Sequence, residues 1–330
     1  MRVFITGGSG FVGRTLIRTL RARGDDVKAL ARSDAAAAQV EAAGAKAVRG
    51  DLSDQDCLAR GMTGCEQVFH AAAKVEVWGR RADFEQVTIE GTRRALAAAR
   101  MASVARFVHV STEAVLLGGR AMVNADETWP LPERPLGLYP WSKGKAEEEV
   151  RAAARAGLHA VIVRPRAIWG ADDTVLLPRL AKMIDEGTFI WIGGGHSLTS
   201  TCHVDNVCAG LMAAAERGQA GEAYFVTDGP PLSFRQHVSD LLEAMGKSAE
   251  NARSVPLPVA RALAPLLEAW WRLWDKPGEP PVTRTAVELV GSEITVNDDK
   301  ARRTLGYEPV TSREQGLARL RAAWQAASAA

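Results

Sequence analysis

The chain has 330 residues, which is enough for one large α/β domain carrying a smaller one, or for two packed units. Its 41 lysines and arginines balance 39 aspartates and glutamates without a basic run, which excludes nucleic acid as the expected partner. The sequence opens on a strand and a glycine turn and contains no apolar run of about 18 residues. We therefore expect no signal peptide, no transmembrane segment and a cytoplasmic protein.

The first half alternates short β-branched runs with longer alanine-rich helical stretches, the pattern of a parallel sheet wrapped by helices. It predicts an α/β fold with a doubly wound, Rossmann-type sheet and helices on both faces. The predicted strands are 3–6, 27–31, 45–49, 68–71, 107–111 and 160–164. The predicted helices are 12–23, 34–43, 53–60, 83–102 and 141–157.

After Pro165 the pattern changes to shorter helices punctuated by glycine and proline. We expect a dinucleotide-binding Rossmann domain over 1–165 and a smaller, mostly helical substrate lobe over 166–330, with 200–227 rejoining the first domain through a strand at 221–227. The helices predicted for this half are 174–186, 205–217, 233–245, 258–274 and 311–326.

The glycine-rich segment 6–13 follows the first strand directly and opens a helix, so its backbone N–H groups and the helix N-terminus can hold a pyrophosphate. Gly7 permits the tight turn, Gly10 lets the backbone approach the phosphate, and Gly13 lets the helix lie close to the sheet. The expected cofactor contacts in this loop are Gly7, Ser9, Gly10, Phe11, Val12 and Gly13.

The second strand ends in Ala31-Arg32-Ser33, where NAD enzymes usually carry an acid for the ribose 2′-hydroxyl. Arg32 can pair with a 2′-phosphate and Ser33 can add a hydroxyl, so NADP(H) is favoured over NAD(H).

Two further segments follow strands at the same edge of the sheet. Asp51 and Leu52 are expected at the adenine, and Ala71, Ala72 and Ala73 supply small residues where the cofactor needs clearance.

Tyr139 and Lys143 are four residues apart, which places them on one face of a helix. A tyrosine of pKa about 10 is a poor base near neutral pH, and a neighbouring ammonium is a physical means of lowering that pKa. The fifth strand ends in Ser111-Thr112, which delivers a hydroxyl to the ligand-binding edge. We expect Tyr139 to exchange a proton with a substrate oxygen, Thr112 to orient that oxygen, and Lys143 to contact the nicotinamide ribose, with Ser111 and Tyr139 also at the cofactor.

With these motifs the sequence resembles the extended short-chain dehydrogenase/reductase superfamily of the NAD-dependent epimerase/dehydratase type. Within it, segments 73–79 and 90–92 and the Tyr-Pro-Trp-Ser-Lys form most resemble the 3β-hydroxysteroid dehydrogenase-like branch, which includes 2-alkyl-3-oxoalkanoate reductases. The resemblance implies that Pro165 and its neighbour Ile168 meet the nicotinamide carboxamide. Thr88 departs from the family's usual asparagine. The motifs that carry the resemblance are TGGSGFVG at 6–13, Asp51-Leu52, His70-Ala71-Ala72, Ser111-Thr112, Tyr139-x-x-x-Lys143, Arg164-Pro165, Ile168-Trp169-Gly170 and His203-Val204-Asp205.

Two alternatives to a ketone reductase stay open. A sugar-nucleotide epimerase would retain NAD and show no net turnover, and a non-enzymatic scaffold would bind the dinucleotide without chemistry. A dehydratase is disfavoured because Thr112 is followed by Glu113 and Ala114, where the resembling dehydratases carry an Asp-Glu pair.

Segment 257–274 carries leucines and tryptophans at helical spacing. It is either a helix packed into the smaller lobe or a hydrophobic mouth for a sterol-like, long-chain 3-oxoacyl or flavonoid-like ketone, with a peripheral membrane contact. The resemblance also makes a homodimer plausible.

The remaining polar candidates are interpreted as structural. The cysteines lack zinc spacing, so we expect free buried thiols and no metal, and Asp205 is a candidate helix cap. The residues in this group are Cys57, Cys65, Cys202, Cys208, His70, His109, His203 and His237.

Overall fold

A computed structural model describes residues 1–329 of the chain. Its strands are β1 Arg2–Thr6, β2 Asp26–Ala31, β3 Lys46–Arg49, β4 Gln67–His70, β5 Arg106–Val110, β6 Met122–Ala125, β7 Ala160–Pro165, β8 Ile168–Trp169, β9 Ile190–Ile192, β10 Leu198–Thr199, β11 Cys202–His203, β12 Ala223–Val226, β13 Leu232–Ser233, β14 Arg253–Val255 and β15 Ile294–Val296. Its α-helices are α1 Phe11–Ala22, α2 Asp34–Ala42, α3 Gln55–Met62, α4 Arg81–Phe84, α5 Gly91–Met101, α6 Leu138–Arg155, α7 Leu176–Asp185, α8 Val204–Arg217, α9 Phe234–Ala244, α10 Leu257–Leu273, α11 Arg284–Gly291 and α12 Arg313–Ala329.

The main sheet has seven parallel strands in the order β12-β7-β5-β4-β1-β2-β3. The predicted doubly wound fold is confirmed, and the strand expected at 221–227 is present as β12, which pairs with β7. Strand order reverses beside β1, which pairs with β2 on one side and with β4 on the other. A crevice between the loops after β1 and β4 is where open α/β sheets bind ligands. The domain division near residue 165 stays a prediction.

Alternate residues of the central strands enter two different cores because successive side chains of a strand point to opposite faces. Val3 and Ile5 pack with α1, α2 and α8, whereas Phe4 packs with α3, α5 and α6. Both faces are therefore covered, as the near-continuous apolar strands of a parallel sheet require.

The predicted helix 83–102 is interrupted by a π-helical segment, Glu85–Glu90, between α4 and α5. Within it the Thr88 hydroxyl accepts a hydrogen bond from the Lys74 backbone N–H at 3.1 Å, and the Thr88 carbonyl accepts one from the Thr92 hydroxyl. The departure from the family's asparagine thus ties the loop after β4 to this segment. Periodicity of apolar residues cannot distinguish one π turn from a continuous α-helix.

The cap of α8 was expected at Asp205 and is instead His203, whose Nδ1 accepts from the Asp205 backbone N–H. Asp205 turns its carboxylate to Thr311 and Arg319. The prediction was wrong because the helix begins one residue earlier than the sequence pattern suggested.

A third core fills the C-terminal half, where Trp169 and Trp191 pack with α7, α9 and α12. All four cysteines are buried and free, as predicted. Within residues 1–329, no helix has the length and apolarity needed to cross a membrane. No group of three or more potential metal ligands lies together in that part of the chain.

Candidate active site

The turn after β1 can be built only with glycine. Gly7 has φ of +72°, and a Cβ there would lie 2.7 Å from the Ala72 backbone nitrogen. A Cβ on Gly13 would lie 2.1 Å from the Gly7 carbonyl oxygen, so only glycine lets α1 start this close to the turn. The loop and the segment after β4 are therefore held in backbone contact.

The N-terminus of α1 is open to an anion. Gly10 caps the helix without a side-chain hydrogen bond, and the first turn carries no acidic residue. The first N–H groups of a helix lack internal partners and carry partial positive charge. The segment Ser9–Val12 thus fits the pyrophosphate of a dinucleotide.

The end of β2 presents a free cation. Arg32 is exposed and makes no ion pair with the residues that the structure describes, whereas Asp34 is paired with Arg49 at 2.5 Å. The Ser33 hydroxyl caps α2 by accepting from the Ala36 N–H, which leaves its own proton available. This pair of residues fits a phosphate on the ribose better than a hydroxyl.

The other predicted cofactor positions border the same edge of the sheet. Asp51 is exposed and accepts from the Ser53 N–H, and Leu52 packs near Gly91. Ala71, Ala72 and Ala73 are half-buried beside the glycine turn.

Pro165 and Ile168, predicted at the nicotinamide, flank a bend at the carboxyl end of β7. Ala167, between them, has φ of +42°, a left-handed conformation that is uncommon for a residue with a Cβ. Pro165 ends β7 and Ile168 begins the short β8. The bend thus lies at the edge where the other predicted cofactor residues collect.

Tyr139 is the second residue of α6, and the helix follows Gly137, whose φ of +104° sets its entry. Removal from water and the neighbouring Glu113 carboxylate raise the pKa of Tyr139 to about 12, and the Thr112 hydroxyl lies within hydrogen-bond reach of the phenol. The phenol is therefore protonated at neutral pH and available as an acid.

Lys143 does not make the phenol acidic in this structure, contrary to our expectation. Its Nζ donates to the Val110 carbonyl at 2.6 Å, and its side chain is buried. Burial lowers the pKa of Lys143 to about 8, although Glu147 acts in the opposite direction. Sequence spacing correctly puts both residues on α6, and burial followed by Glu113 are the causes that raise the pKa of Tyr139.

Glu113 is a site residue whose role the sequence did not reveal. It is buried, and its carboxylate accepts from the Thr112 hydroxyl at 2.8 Å and from Arg166 Nη1 at 2.6 Å. Arg166 is held in turn by the Thr199 hydroxyl and the Leu289 carbonyl. The one signal in the sequence is an acid directly after Thr112, and its partner Arg166 is distant along the chain.

Ser111 is occupied by a second buried ion pair. Its hydroxyl donates to Glu147 at 2.6 Å, and Arg164 donates two hydrogen bonds to the same carboxylate. Burial would raise the pKa of Glu147, but Arg164, Arg151 and Ser111 lower it below its usual value. Ser111 lies at the predicted edge of the sheet, but its hydroxyl proton is directed into the protein, towards Glu147.

His70 and His109 are neutral structural residues. The His70 ring is hydrogen-bonded between Thr6 and Thr92, and burial, with Lys143, lowers its pKa to about 3. His109 stacks against His70, and burial lowers its pKa as well.

A cavity of about 20 Å³, enough for a single water molecule, lies at the start of α6, where Leu138, the residue before Tyr139, lines it; Tyr139 itself does not. Its walls are the loop at Trp78, the start of α6 at Leu138, and α10 through Glu268 and Arg272. Larger surface grooves, of about 390 and 280 Å³, contain none of the predicted catalytic residues.

The fold and the site together define an oxidoreductase of the extended short-chain dehydrogenase/reductase class. The family model described as the 3-beta hydroxysteroid dehydrogenase/isomerase family matches residues 4–258. The chain belongs to this family, so the predicted resemblance and the assignment as an enzyme that acts on hydroxyl and keto groups are confirmed.

Two curated relatives match along nearly their whole length. A 4-hydroxy-2-methyl-3-oxo-4-farnesyl-3,4-dihydroquinoline-1-oxide ketoreductase of Stigmatella aurantiaca is 49% identical, covering 100% of this chain and 98% of the relative. A 2-alkyl-3-oxoalkanoate reductase of Stenotrophomonas maltophilia is 36% identical, covering 98% of this chain and 99% of the relative.

Among solved structures, a double mutant of DesIV, a dTDP-glucose 4,6-dehydratase from Streptomyces venezuelae with NAD and DAU bound, is similar with a TM-score of 0.77. It is 27% identical, and the match covers 98% of this chain and 97% of that one. The similarity extends across both halves of the chain.

Proposed function

We propose that the protein interconverts a ketone and a secondary alcohol on an apolar substrate, using NADP(H), with Tyr139 as the general acid and base. The observation that carries the proposal is a phenol kept protonated beside Thr112, at the edge of the sheet where open α/β folds bind their ligands.

The substrate class is inferred from the relatives and from the cavity walls. The names of both relatives describe ketone reduction on molecules with an apolar chain. Trp78 and Leu138, the residue before Tyr139, line the cavity at the start of α6. Sterol-like, long-chain 3-oxoacyl and flavonoid-like ketones are the candidates, and a peripheral membrane contact accords with such substrates. A homodimer and a cytoplasmic location stay predictions.

NADP(H) is proposed over NAD(H) because of the unpaired Arg32 guanidinium and the available Ser33 proton. A carboxylate at this position would repel a 2′-phosphate. The acid nearest to Arg32 and Ser33 in the sequence is Asp34, and its carboxylate is paired with Arg49. The pyrophosphate would lie on Ser9–Val12 and the nicotinamide near Pro165 and Ile168, with Lys143 at its ribose.

When bound, the nicotinamide supplies or accepts the hydride. Tyr139 donates its phenolic proton to the carbonyl oxygen during reduction and takes it back during oxidation. The Thr112 proton is directed to Glu113, so the Thr112 oxygen is left to accept a hydrogen bond from the phenol or from the product hydroxyl. Glu113, fixed by Arg166, thus orients Thr112 and raises the pKa of the phenol.

A panel of apolar ketones assayed separately with NADPH and NADH tests cofactor and substrate class together. We expect NADPH consumption with at least one sterol-like or long-chain 3-oxo substrate. An epimerase would instead be purified with retained NAD and would interconvert a nucleotide sugar without net turnover. That outcome would refute the proposal.

Tyr139→Phe tests the proton transfer directly. Loss of the general acid should lower kcat for ketone reduction by about 10²- to 10⁴-fold. Tyr224→Phe is the matched control, because Tyr224 is a buried tyrosine whose hydroxyl contacts only the backbone N–H of Gln219 and should leave kcat unchanged. Unchanged activity in Tyr139→Phe would favour a different acid or the non-enzymatic scaffold.

A further inference from the structure

Helix α10 presents an apolar face to solvent. Six of the fourteen large apolar side chains that are exposed between residues 1 and 329 belong to α10 or to the residue that follows it, so the exposure is concentrated in one element. Their exposed fractions lie between 44% and 80%. We call these residues the α10 face: Val259, Leu263, Leu266, Trp270, Leu273 and Trp274.

The α10 face is one continuous stripe. Its first five members recur at steps of four, three, four and three residues, which keeps them on one side of the helix, and Trp274 directly follows Leu273. The 14 steps from Val259 to Leu273 make the stripe about 21 Å long, at 1.5 Å per residue. The other side of α10 is buried through Ala260 and Ala264. Packing into the smaller lobe, one of the two interpretations of segment 257–274, therefore accounts only for the inner side of the helix.

The charges around the stripe favour an anionic surface. The only acid of α10, Glu268, is turned inward and paired with Arg284, and Glu288 of α11 is similarly buried against Arg261. In each pair the arginine is about half exposed while the carboxylate is nearly hidden. Beside the stripe in the sequence are Arg272, Lys276 and one exposed acid, Asp275, and Lys276 Nζ lies 3.5 Å from the centre of the Trp270 ring.

We propose that the α10 face docks onto an anionic lipid bilayer. Tryptophans and leucines enter the boundary between headgroups and acyl chains, and the arginines and lysine around them meet lipid phosphates. A stripe with this composition on a helix too short and too amphipathic to span a membrane lies in the plane of the interface.

The same helix borders the cavity at the start of α6. Glu268 and Arg272 line it together with Leu138, the residue before Tyr139, and the Arg272 guanidinium lies 4.8 Å from the centre of the Trp78 ring. A bilayer bound at the α10 face would therefore hold a dissolved apolar ketone close to the start of α6, a consequence that rests on the proposed function. Because the cavity holds a single water molecule, we expect α10 and the Trp78 loop to separate when such a substrate enters.

The test is flotation of the full chain with two kinds of vesicle, one of phosphatidylcholine alone and one that also contains phosphatidylglycerol. The test variant is Leu266→Gln/Leu273→Gln. The control is Met101→Gln/Val310→Gln, which removes two apolar side chains of similar exposure outside α10. We expect the unaltered chain and the control to float with the anionic vesicles. The affinity of the test variant for these vesicles should be at least about tenfold lower.

Brominated lipids provide a second measurement, since they should quench tryptophan fluorescence in the unaltered chain and much less in Trp270→Leu/Trp274→Leu. No flotation of the unaltered chain, or equal flotation of both double variants, would overturn the proposal. Light scattering provides a further outcome that would overturn it. If the unaltered chain is a dimer and Leu266→Gln/Leu273→Gln is a monomer, the α10 face binds a second copy of the chain. These measurements use neither cofactor nor ketone, so their outcome is independent of whether the ketone assays succeed.

Discussion

Thr112 shows how one neighbour decides the role of a hydroxyl. A threonine at the end of β5 could donate its proton to a substrate oxygen, but the Glu113 carboxylate already takes that proton at 2.8 Å. The Thr112 oxygen also accepts from the Ala114 backbone N–H. The hydroxyl is therefore oriented before any ligand binds, and its remaining capacity is that of an acceptor.

Glu113→Gln should shift the pH dependence of both directions. The Glu113 charge raises the pKa of Tyr139, so its removal should lower that pKa. Reduction needs the protonated phenol, so the alkaline loss of kcat should move to lower pH, and oxidation, which needs the phenolate, should begin at lower pH.

Asp298→Asn is the control for Glu113→Gln, because Asp298 is a buried carboxylate paired with Arg302, away from the cavity. Its pH profile should match that of the unaltered chain. An unchanged profile for Glu113→Gln, measured with kcat and KM determined separately, would show that Glu113 is only structural.

Arg32→Ser should reduce the preference for NADPH. A charged hydrogen bond to a phosphate contributes about 1.5–3 kcal/mol, so KM for NADPH should rise about 10- to 100-fold while KM for NADH stays nearly unchanged. Arg155→Ser removes another exposed arginine, at the end of α6, which forms no ion pair within residues 1–329, and should change neither value. A parallel rise for both cofactors would contradict a role at the 2′-phosphate.

At the scale of elements, the turn between β1 and α1 depends on glycine for two different reasons. Gly7 needs a left-handed backbone conformation, whereas Gly13 has no space for a Cβ. The same chain offers a glycine with neither constraint: Gly144 lies inside α6 with no atom within 4 Å of its ideal Cβ position.

Gly13→Ala should therefore destabilise the fold by about 1–3 kcal/mol and abolish dinucleotide binding, since the turn must move away from α1. Gly144→Ala should stabilise it by about 0.5–1 kcal/mol, because alanine loses less backbone entropy in a helix. Urea denaturation of both variants checks the prediction. Equal behaviour of the two would contradict the close approach at Gly13.

At the scale of the whole molecule, Arg166 connects the main sheet with the C-terminal half. It contacts Glu113 after β5, Thr199 in β10 and the carbonyl of Leu289 in α11. Orientation of Thr112 and placement of α11 are therefore coupled through one buried guanidinium.

Arg166→Met should destabilise the protein by about 3–5 kcal/mol, because it leaves the Glu113 carboxylate buried without its partner. The double variant Glu113→Gln/Arg166→Met should recover part of that loss, since no unpaired charge remains. Urea denaturation of the single and double variants measures the coupling. Additive losses would show that the two side chains act independently.

Local sequence was sufficient for the doubly wound sheet, the glycine turn and the membership of Tyr139 and Lys143 in one helix, because strand alternation, helical spacing and glycine's freedom act over a few residues. The buried ion pair of Glu113 with Arg166, the π turn at Thr88 and the exposure of the α10 face required the tertiary structure. All three depend on contacts between segments far apart in the chain. Such contacts decide which partner a charge finds, how far a phenol is removed from water, and which side of a helix stays uncovered. For that reason the sequence could identify Tyr139, and only the assembled fold could show why its proton is held.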